Sequence, residues 1–206
     1  MTETLVKFFV VFFVVVDPIS LIPLFAGLTQ GASRHYIQKM AGKSAVIAVV
    51  ICVLFALVGA GFLDIMGISL SAFRIAGGTL LFLIALDMVF ARTSGTRSTS
   101  SEQEEAKRRE DISVFPLAFP FIAGPGALAT ILLTAGEVRA KPLVFAGFLG
   151  VVALVVIVCW IVMLAAPRLI NVLGVTGANV VSRLSGVILA ALAVQFIVDG
   201  IRGSFL

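Results

Sequence analysis

Six apolar runs, each long enough to cross a lipid bilayer, occupy most of this 206-residue chain. A membrane-spanning helix needs about 20 predominantly apolar residues. The runs are Leu5–Leu28, Ser44–Leu63, Leu70–Phe90, Val114–Ala135, Leu143–Ala165 and Val180–Ile201. They are too long for strands, and no alternating pattern of about ten residues indicates a transmembrane barrel. The sequence therefore predicts an all-α integral membrane protein with six transmembrane helices.

The composition excludes the water-soluble classes of protein. Hydrophobic residues make up 60% of the chain and charged residues 13%, whereas soluble domains contain about 25% charged residues. A soluble fold of this length could not bury so much apolar surface, so the excess must face lipid. We therefore exclude a soluble enzyme, a nucleic-acid-binding protein and a disulfide-rich secreted domain. The bilayer is the expected partner, and nucleic acid is not.

Lysine and arginine residues predict the orientation of the spans. If the N-terminus lies outside, nine basic residues fall on the inner side and three fall clearly on the outer side. The inner set is Arg34, Lys39, Lys43, Arg92, Arg97, Lys107, Arg108, Arg109 and Arg168, and the outer set is Arg139, Lys141 and Arg202. An excess of basic residues marks the cytoplasmic side. We therefore expect an inner (plasma) membrane protein with both termini outside.

The two halves of the chain resemble each other at a spacing of 107 to 109 residues. The corresponding pairs are Pro18 and Pro125, Cys52 and Cys159, Gly67 and Gly174, and Arg74 and Arg183. We therefore predict a single membrane domain, 1–206, with three-span repeats at 1–90 and 114–206 and a cytoplasmic charged loop at 91–113. Since three spans is an odd number, the second repeat is inverted. A 3+3 inverted-topology repeat is typical of secondary transporters.

Prolines interrupt the first and fourth apolar runs. A proline inside a helix removes one hydrogen bond and clashes with the carbonyl four residues earlier. Asp17-Pro18 and Gly124-Pro125 are each typical of an N-cap residue followed by proline at the first helical position. We therefore predict that spans 1 and 4 are broken near the midplane and restart as half-helices. A helix start presents free N–H groups and positive partial charge, which favour an anion.

The candidate substrate-binding residues lie at these two breaks. They are Asp17, Pro18, Ser20, Gly124, Pro125, Gly126 and Thr130. A central aspartate costs about 2.5–3.5 kcal/mol in a membrane span, and such residues usually face a pathway or a partner. Asp17 therefore caps a half-helix, contacts a substrate ammonium, a sodium ion or a proton, or does both. The glycines beside Pro125 either leave room for a substrate or allow close helix packing.

Two arginines are candidates for gates or ion pairs near the membrane surfaces. Arg74 lies near the start of the third span and Arg183 near the start of the sixth. Each side chain either extends to the interface or closes one mouth of the protein. In the second case the expected pairs are Arg74 with Asp64 and Arg183 with Asn171.

Two segments carry a resemblance to a known family. They are Asp17-Pro18-Ile19-Ser20-Leu21-Ile22-Pro23-Leu24-Phe25 with Leu28-Thr29, and Pro116-Leu117-Ala118 through Ile122-Ala123-Gly124-Pro125-Gly126-Ala127. Over essentially its whole length the chain resembles the MarC family, also described as the six-span neutral amino acid transporter family. Many members carry Asn-Pro-x-Gly where this chain has Asp17-Pro18-Ile19-Ser20. The resemblance implies an inner-membrane transporter of small neutral amino acids such as glycine and alanine.

The sequence favours a secondary transporter that works by alternating access. A zwitterionic amino acid would place its carboxylate on the N–H groups at Ser20 and Gly126 and its ammonium near Asp17. No cofactor or metal is expected, and no motif indicates an enzyme. A coupling ion is possible, and the sequence does not distinguish sodium from a proton. The alternatives are a passive channel, an exporter of another small metabolite and a non-transport structural protein. Small-residue spacings such as Ala56–Ala60 allow a homo-oligomer.

Overall fold

The structure is a computed structural model, and it describes residues 2–90 and 111–205. These ranges contain seven helical segments and no strand. The segments are α1 (Thr2–Val16), α2 (Leu21–Leu28), α3 (Arg34–Ile65), α4 (Leu70–Phe90), α5 (Ser113–Ile122), α6 (Pro125–Val138) and α7 (Pro142–Phe205). Most of the predicted charged loop, residues 91–110, lies outside the described residues.

Four stretches within the described ranges are long and apolar enough to cross a membrane. They are α3, α4 and the two parts of α7, Pro142–Val172 and Asn179–Phe205. The pairs α1–α2 and α5–α6 also qualify when joined, although they are bent by 42° and 56°, so the spans number up to six. Only 22–33% of the most apolar window of each long helix is buried. The prediction of an all-α membrane protein is confirmed, while the 3+3 inverted repeat stays a prediction.

Two glycines turn the chain between long helices. Gly174 interrupts α7 with a φ of 64° and a ψ of 168°. Gly67 has a φ of 67° and lies between α3 and α4. A positive φ is readily adopted by glycine because it lacks a Cβ atom. These are the two glycines that correspond in the predicted sequence repeat, and both have a positive φ.

Helix α6 lies at the centre of the packed core, with most of its residues buried. Small residues on its neighbours allow the backbones to approach closely. A Cβ atom added to Gly59 of α3 would lie 2.8 Å from Leu132 Cδ1, and one added to Gly77 of α4 would lie 2.9 Å from Ala129 Cβ. The start of α6 is therefore surrounded by protein on several sides.

Segment α5 leads into α6 and is irregular. Phe115 and Phe119 each precede a proline and have extended backbone angles, which is the conformation that a following proline favours. Asp111 accepts hydrogen bonds from the Ser113 N–H, 2.9 Å, and hydroxyl, 2.5 Å, and forms an ion pair with Lys43 of α3. The hydrogen bond from Lys43, followed by those from Ser113, lowers the pKa of Asp111 to about 2. These contacts fix the start of α5 to α3.

Candidate functional site

The first break begins at Asp17, which follows the end of α1. Asp17 is the single non-glycine residue with a positive φ, 52°, in the part of the chain that the structure describes. Aspartate enters this region more readily than most residues because its short polar side chain bonds locally. The Ser20 N–H then donates to Asp17 O at 3.2 Å, and the Leu21 N–H donates to Pro18 O at 3.3 Å. These tight turns lead into α2.

This geometry corrects the prediction for the first helix start. Helix α2 begins at Leu21, not at Pro18, because the left-handed Asp17 redirects the chain and three residues of turn follow it. Among the described residues, the Asp17 side chain accepts hydrogen bonds from hydroxyls and caps no helix amide. The amide of Ser20, which we expected to bind a substrate carboxylate, donates to the Asp17 carbonyl oxygen instead. The first break therefore offers a carboxylate, not a set of free donors.

The Asp17 carboxylate lies in the core, with 3% of the residue exposed. The Ser20 hydroxyl donates to Oδ2, and the Ser182 hydroxyl lies 3.4 Å from the same oxygen and 3.0 Å from Ser20 Oγ. Ser182 belongs to the second half of α7. Sequence reasoning missed this residue because it stands inside an apolar run without a motif.

No lysine, arginine or histidine of the described ranges forms an ion pair with Asp17. An ionised carboxylate taken out of water is costly unless a cation or a set of strong donors compensates it. Two neutral hydroxyls compensate only part of that cost. An ionised Asp17 therefore lacks a compensating cation among the described residues.

The second break supplies hydrogen-bond donors. Gly124 precedes α6 with a φ of −73° and a ψ of 171°, and Pro125 is the first residue of the helix. The first hydrogen bond along α6 runs from the Leu128 N–H to Gly124 O at 2.9 Å. The N–H groups of Gly126 and Ala127 precede it and have no backbone partner among residues 2–90 and 111–205. Such a helix start carries positive partial charge.

The two breaks lie in the same part of the core. A Cβ atom added to Gly126 would lie 3.4 Å from Val15 Cγ1, and Val15 is two residues before Asp17. The same atom would lie 2.6 Å from Leu81 Cδ2 and 3.4 Å from Ile84 Cδ1. Gly126 therefore allows close helix packing. The other role expected from the sequence, leaving room for a substrate, stays a prediction.

Thr130 does not supply a free donor to the breaks. Its hydroxyl donates to the Gly126 carbonyl oxygen at 2.9 Å, one turn earlier in the same helix, and the residue is 1% exposed. A threonine that bonds in this way satisfies its own polar group inside the helix. We therefore assign Thr130 to the support of the α6 start.

The structure does not bring together the predicted gate pairs. Arg74 forms its ion pair with Glu137 near the end of α6, not with Asp64. Arg183 and Asn171 are both exposed, and Arg183 forms no ion pair within the described ranges. Glu137 could not be chosen from the sequence, because only the packing of α4 on α6 brings it close to Arg74.

We expect Glu137→Gln to have a small effect on stability. The Glu137 side chain is 56% exposed, and exposed ion pairs contribute about 0–1 kcal/mol. For a chain of this size the Tm in detergent should fall by no more than about 4 °C. Glu3→Gln, which removes the exposed pair with Lys7, is the matched control. A loss of 10 °C or more in Glu137→Gln alone would show that the pair holds α4 and α6 together.

These features define a helical membrane protein with irregular backbone inside its core, which is tolerated only where protein or a water-filled cavity surrounds it. The chain belongs to the MarC family: the family model described as "MarC family integral membrane protein" matches residues 2–205. The resemblance found in the sequence is thereby confirmed.

Relatives from bacteria and archaea match nearly the whole chain. The chain is 37% identical over 202 residues to the UPF0056 membrane protein YhcE of Escherichia coli (strain K12). That alignment covers 97% of this chain and 92% of the Escherichia coli protein. The identity is 36% over 197 residues to a UPF0056 membrane protein of Aquifex aeolicus (strain VF5), covering 96% and 92%. It is 33% over 203 residues to one of Pyrococcus abyssi (strain GE5 / Orsay), covering 98% and 96%. These names describe membrane proteins, not enzymes. No solved structure matches the chain.

Proposed function

We propose that this protein is a secondary transporter of small neutral amino acids, and that the substrate binds between Asp17 and the start of α6. One observation carries the proposal: within the described residues, a buried carboxylate that has no ion-pair partner comes two residues after Val15, and Val15 packs on a helix start whose first amides have no backbone partner. An amino acid carries one positive and one negative group on neighbouring atoms. The first break offers a carboxylate to the positive group, and the second break offers amides to the negative group.

The substrate ammonium binds Asp17 in this scheme. An ammonium group supplies the positive charge that the buried carboxylate requires, and it forms charge-assisted hydrogen bonds with carboxylate oxygens. The hydroxyls of Ser20 and Ser182 hold Oδ2 in place. A sodium ion or a proton satisfies the same carboxylate when no substrate is bound, which makes Asp17 the candidate for the coupling-ion site.

The substrate carboxylate binds the start of α6. The N–H groups of Gly126 and Ala127 and the positive end of the helix favour an anion. This revises the symmetric scheme expected from the sequence, because the amides at the start of α2 already donate to Asp17, Pro18 and Ile19. The two breaks therefore have different roles: one binds the cation and the other the anion.

The packing around the α6 start favours a small side chain on the substrate. Val15, Leu81 and Ile84 all lie within 3.4 Å of where a Cβ atom of Gly126 would be. These are apolar residues that leave little space and offer no polar group for recognition. Glycine and alanine are therefore the preferred substrates.

The location of the site suits alternating access. Asp17 lies in the first predicted repeat, whereas Ser182 and Gly126 lie in the second. In inverted-repeat carriers the substrate site lies at the interface between repeats. Asp17 and Gly126 are buried and Ser182 is partly buried in this conformation, as expected for a closed state. A movement of the second half of α7 would separate Ser182 from Asp17 and open the site.

A thermal-shift screen tests the proposed function. A ligand that binds only the folded state stabilises it by about 2.7 kcal/mol at 100 times its Kd, which corresponds to roughly 5–10 °C for a chain of this size. We expect glycine or alanine to raise the Tm, and leucine and glutamate to leave it unchanged. No shift with any small neutral amino acid would favour a structural protein or an exporter of another metabolite.

Reporter fusions test the proposed orientation. With both termini outside, a reporter fused after Ser101 should be cytoplasmic and one fused after Leu206 should be external. The reason is the excess of lysine and arginine residues in the loops that we assign to the cytoplasm. The opposite pair of results would reverse the orientation without affecting the binding site.

A further inference from the structure

A second candidate binding site lies away from the two breaks, between α3 and the first half of α7. It is a pocket of about 430 Å³. Its lining residues are Arg34, Ile37, Gln38, Leu164, Pro167 and Arg168. Two guanidinium groups and one amide share this pocket with three apolar side chains. That combination is complementary to a ligand with an anionic head and an apolar stem.

The charge of the pocket is not neutralised by the described residues. Both Arg34 and Arg168 are exposed, and neither belongs to an ion pair in residues 2–90 and 111–205. Arg34 is also the first residue of the 32-residue helix α3, whose start is capped by Ser33. The positive end of this long helix adds to the attraction for an anion. Arginine pairs bind phosphate groups well because each presents a planar fork of donors.

Two aromatic residues of the kind that concentrates at the membrane–water interface lie near the pocket. The chain contains one tryptophan and one tyrosine, and both are close to it. Tyr36 lies between two lining residues, and Trp160 precedes Leu164 by one helical turn. The Trp160 Nε1 atom would lie 3.9 Å from a Cβ atom added to Gly42, so the indole rests beside α3. Tryptophan and tyrosine concentrate at the membrane–water interface.

We propose that this pocket binds the phosphate of an anionic phospholipid, with Arg34 and Arg168 holding the phosphate and Ile37, Leu164 and Pro167 contacting the glycerol and the first methylene groups. The predicted orientation places the pocket at the cytoplasmic leaflet, where anionic lipids create a negative surface potential. Basic pockets between transmembrane helices on that side bind such headgroups. The bound lipid links α3 to α7, and thus one predicted repeat to the other.

The test measures the Tm of the purified protein in detergent during titration with short-chain phosphatidylglycerol, short-chain phosphatidylcholine or inorganic phosphate. We expect phosphatidylglycerol to raise the Tm at a concentration at least tenfold lower than phosphatidylcholine. The double variant Arg34→Gln/Arg168→Gln should require at least tenfold more phosphatidylglycerol. The control Lys39→Gln/Arg202→Gln removes two exposed charges outside the pocket and should titrate like the wild type.

Three results would overturn the proposal. The double variant could respond to phosphatidylglycerol like the wild type, or the two lipids could act equally. Inorganic phosphate could also stabilise the wild type as strongly as phosphatidylglycerol, which would assign the pocket to a free anion. The unliganded Tm of both double variants should stay near that of the wild type, because the four side chains are exposed. Helical circular dichroism checks that each variant is folded.

Discussion

Asp17→Asn should weaken the binding of alanine about tenfold, which corresponds to about 1.4 kcal/mol, while the protein stays folded. Asparagine accepts hydrogen bonds from the hydroxyls of Ser20 and Ser182 through its amide oxygen, and it also tolerates a positive φ. The substitution therefore removes the negative charge and little else. Isothermal titration calorimetry of the purified variant with alanine measures the change in Kd. Asp64→Asn, which removes an exposed carboxylate, should bind like the wild type.

The stability of the unliganded variant separates a binding role from a structural one. A buried carboxylate without a cationic partner is costly, so its neutral isostere should fold at least as stably as the wild type. If Asp17 only holds the turn between α1 and α2, the variant should lose stability and bind alanine unchanged. That pair of results would contradict the proposed site.

Gly124→Ala should strongly destabilise the folded protein. A Cβ atom at this position would overlap with the Pro120 carbonyl oxygen. That oxygen belongs to the backbone, so it cannot move away as a flexible side chain could. Overpacking of a core typically costs 1–3 kcal/mol, and we expect about 3 kcal/mol or more here. The Tm should therefore fall by at least 6–12 °C, or no folded protein should be obtained after membrane extraction.

Two matched glycine variants make this prediction specific. Gly27→Ala lies within α2 and meets no atom within 4 Å, so it should be neutral or slightly stabilising, as alanine favours helix more than glycine does. Gly126→Ala meets Leu81 Cδ2 at 2.6 Å, and this flexible side-chain end can move, so an intermediate loss is expected. Equal Tm values for Gly124→Ala and Gly27→Ala would show that the α5–α6 connection differs from the one described.

Features that depend on local chemistry could be predicted from the sequence. The third apolar run, Leu70–Phe90, coincides with α4, because span length and hydropathy suffice to place a membrane helix. The start of α6 at Pro125 follows from a cap residue and a proline that are adjacent in the chain. The Gly67 and Gly174 turns, found as corresponding positions of the repeat, both require a conformation that glycine favours.

Features that depend on contacts between distant segments could not be predicted. Asp17-Pro18 carries the same cap-and-proline signal as Gly124-Pro125, yet α2 starts three residues later than expected. The Asp17 carboxylate lies near Ser182, which is 165 residues away in sequence, and this contact has no local signature. The pairing of Arg74 with Glu137 likewise depends on the packing of α4 against α6 and not on the spacing of charges.

Counterflow in proteoliposomes tests the central claim most directly, because it detects exchange by a carrier even when the coupling ion is not known. Vesicles loaded with unlabelled alanine are diluted into a trace of labelled alanine. We expect wild-type vesicles to accumulate label transiently above its equilibrium level, and Asp17→Asn vesicles to do so at least tenfold more slowly at low substrate concentration. Accumulation that does not depend on preloaded alanine, or none above that of protein-free liposomes, would contradict the assignment of this protein as an amino acid carrier.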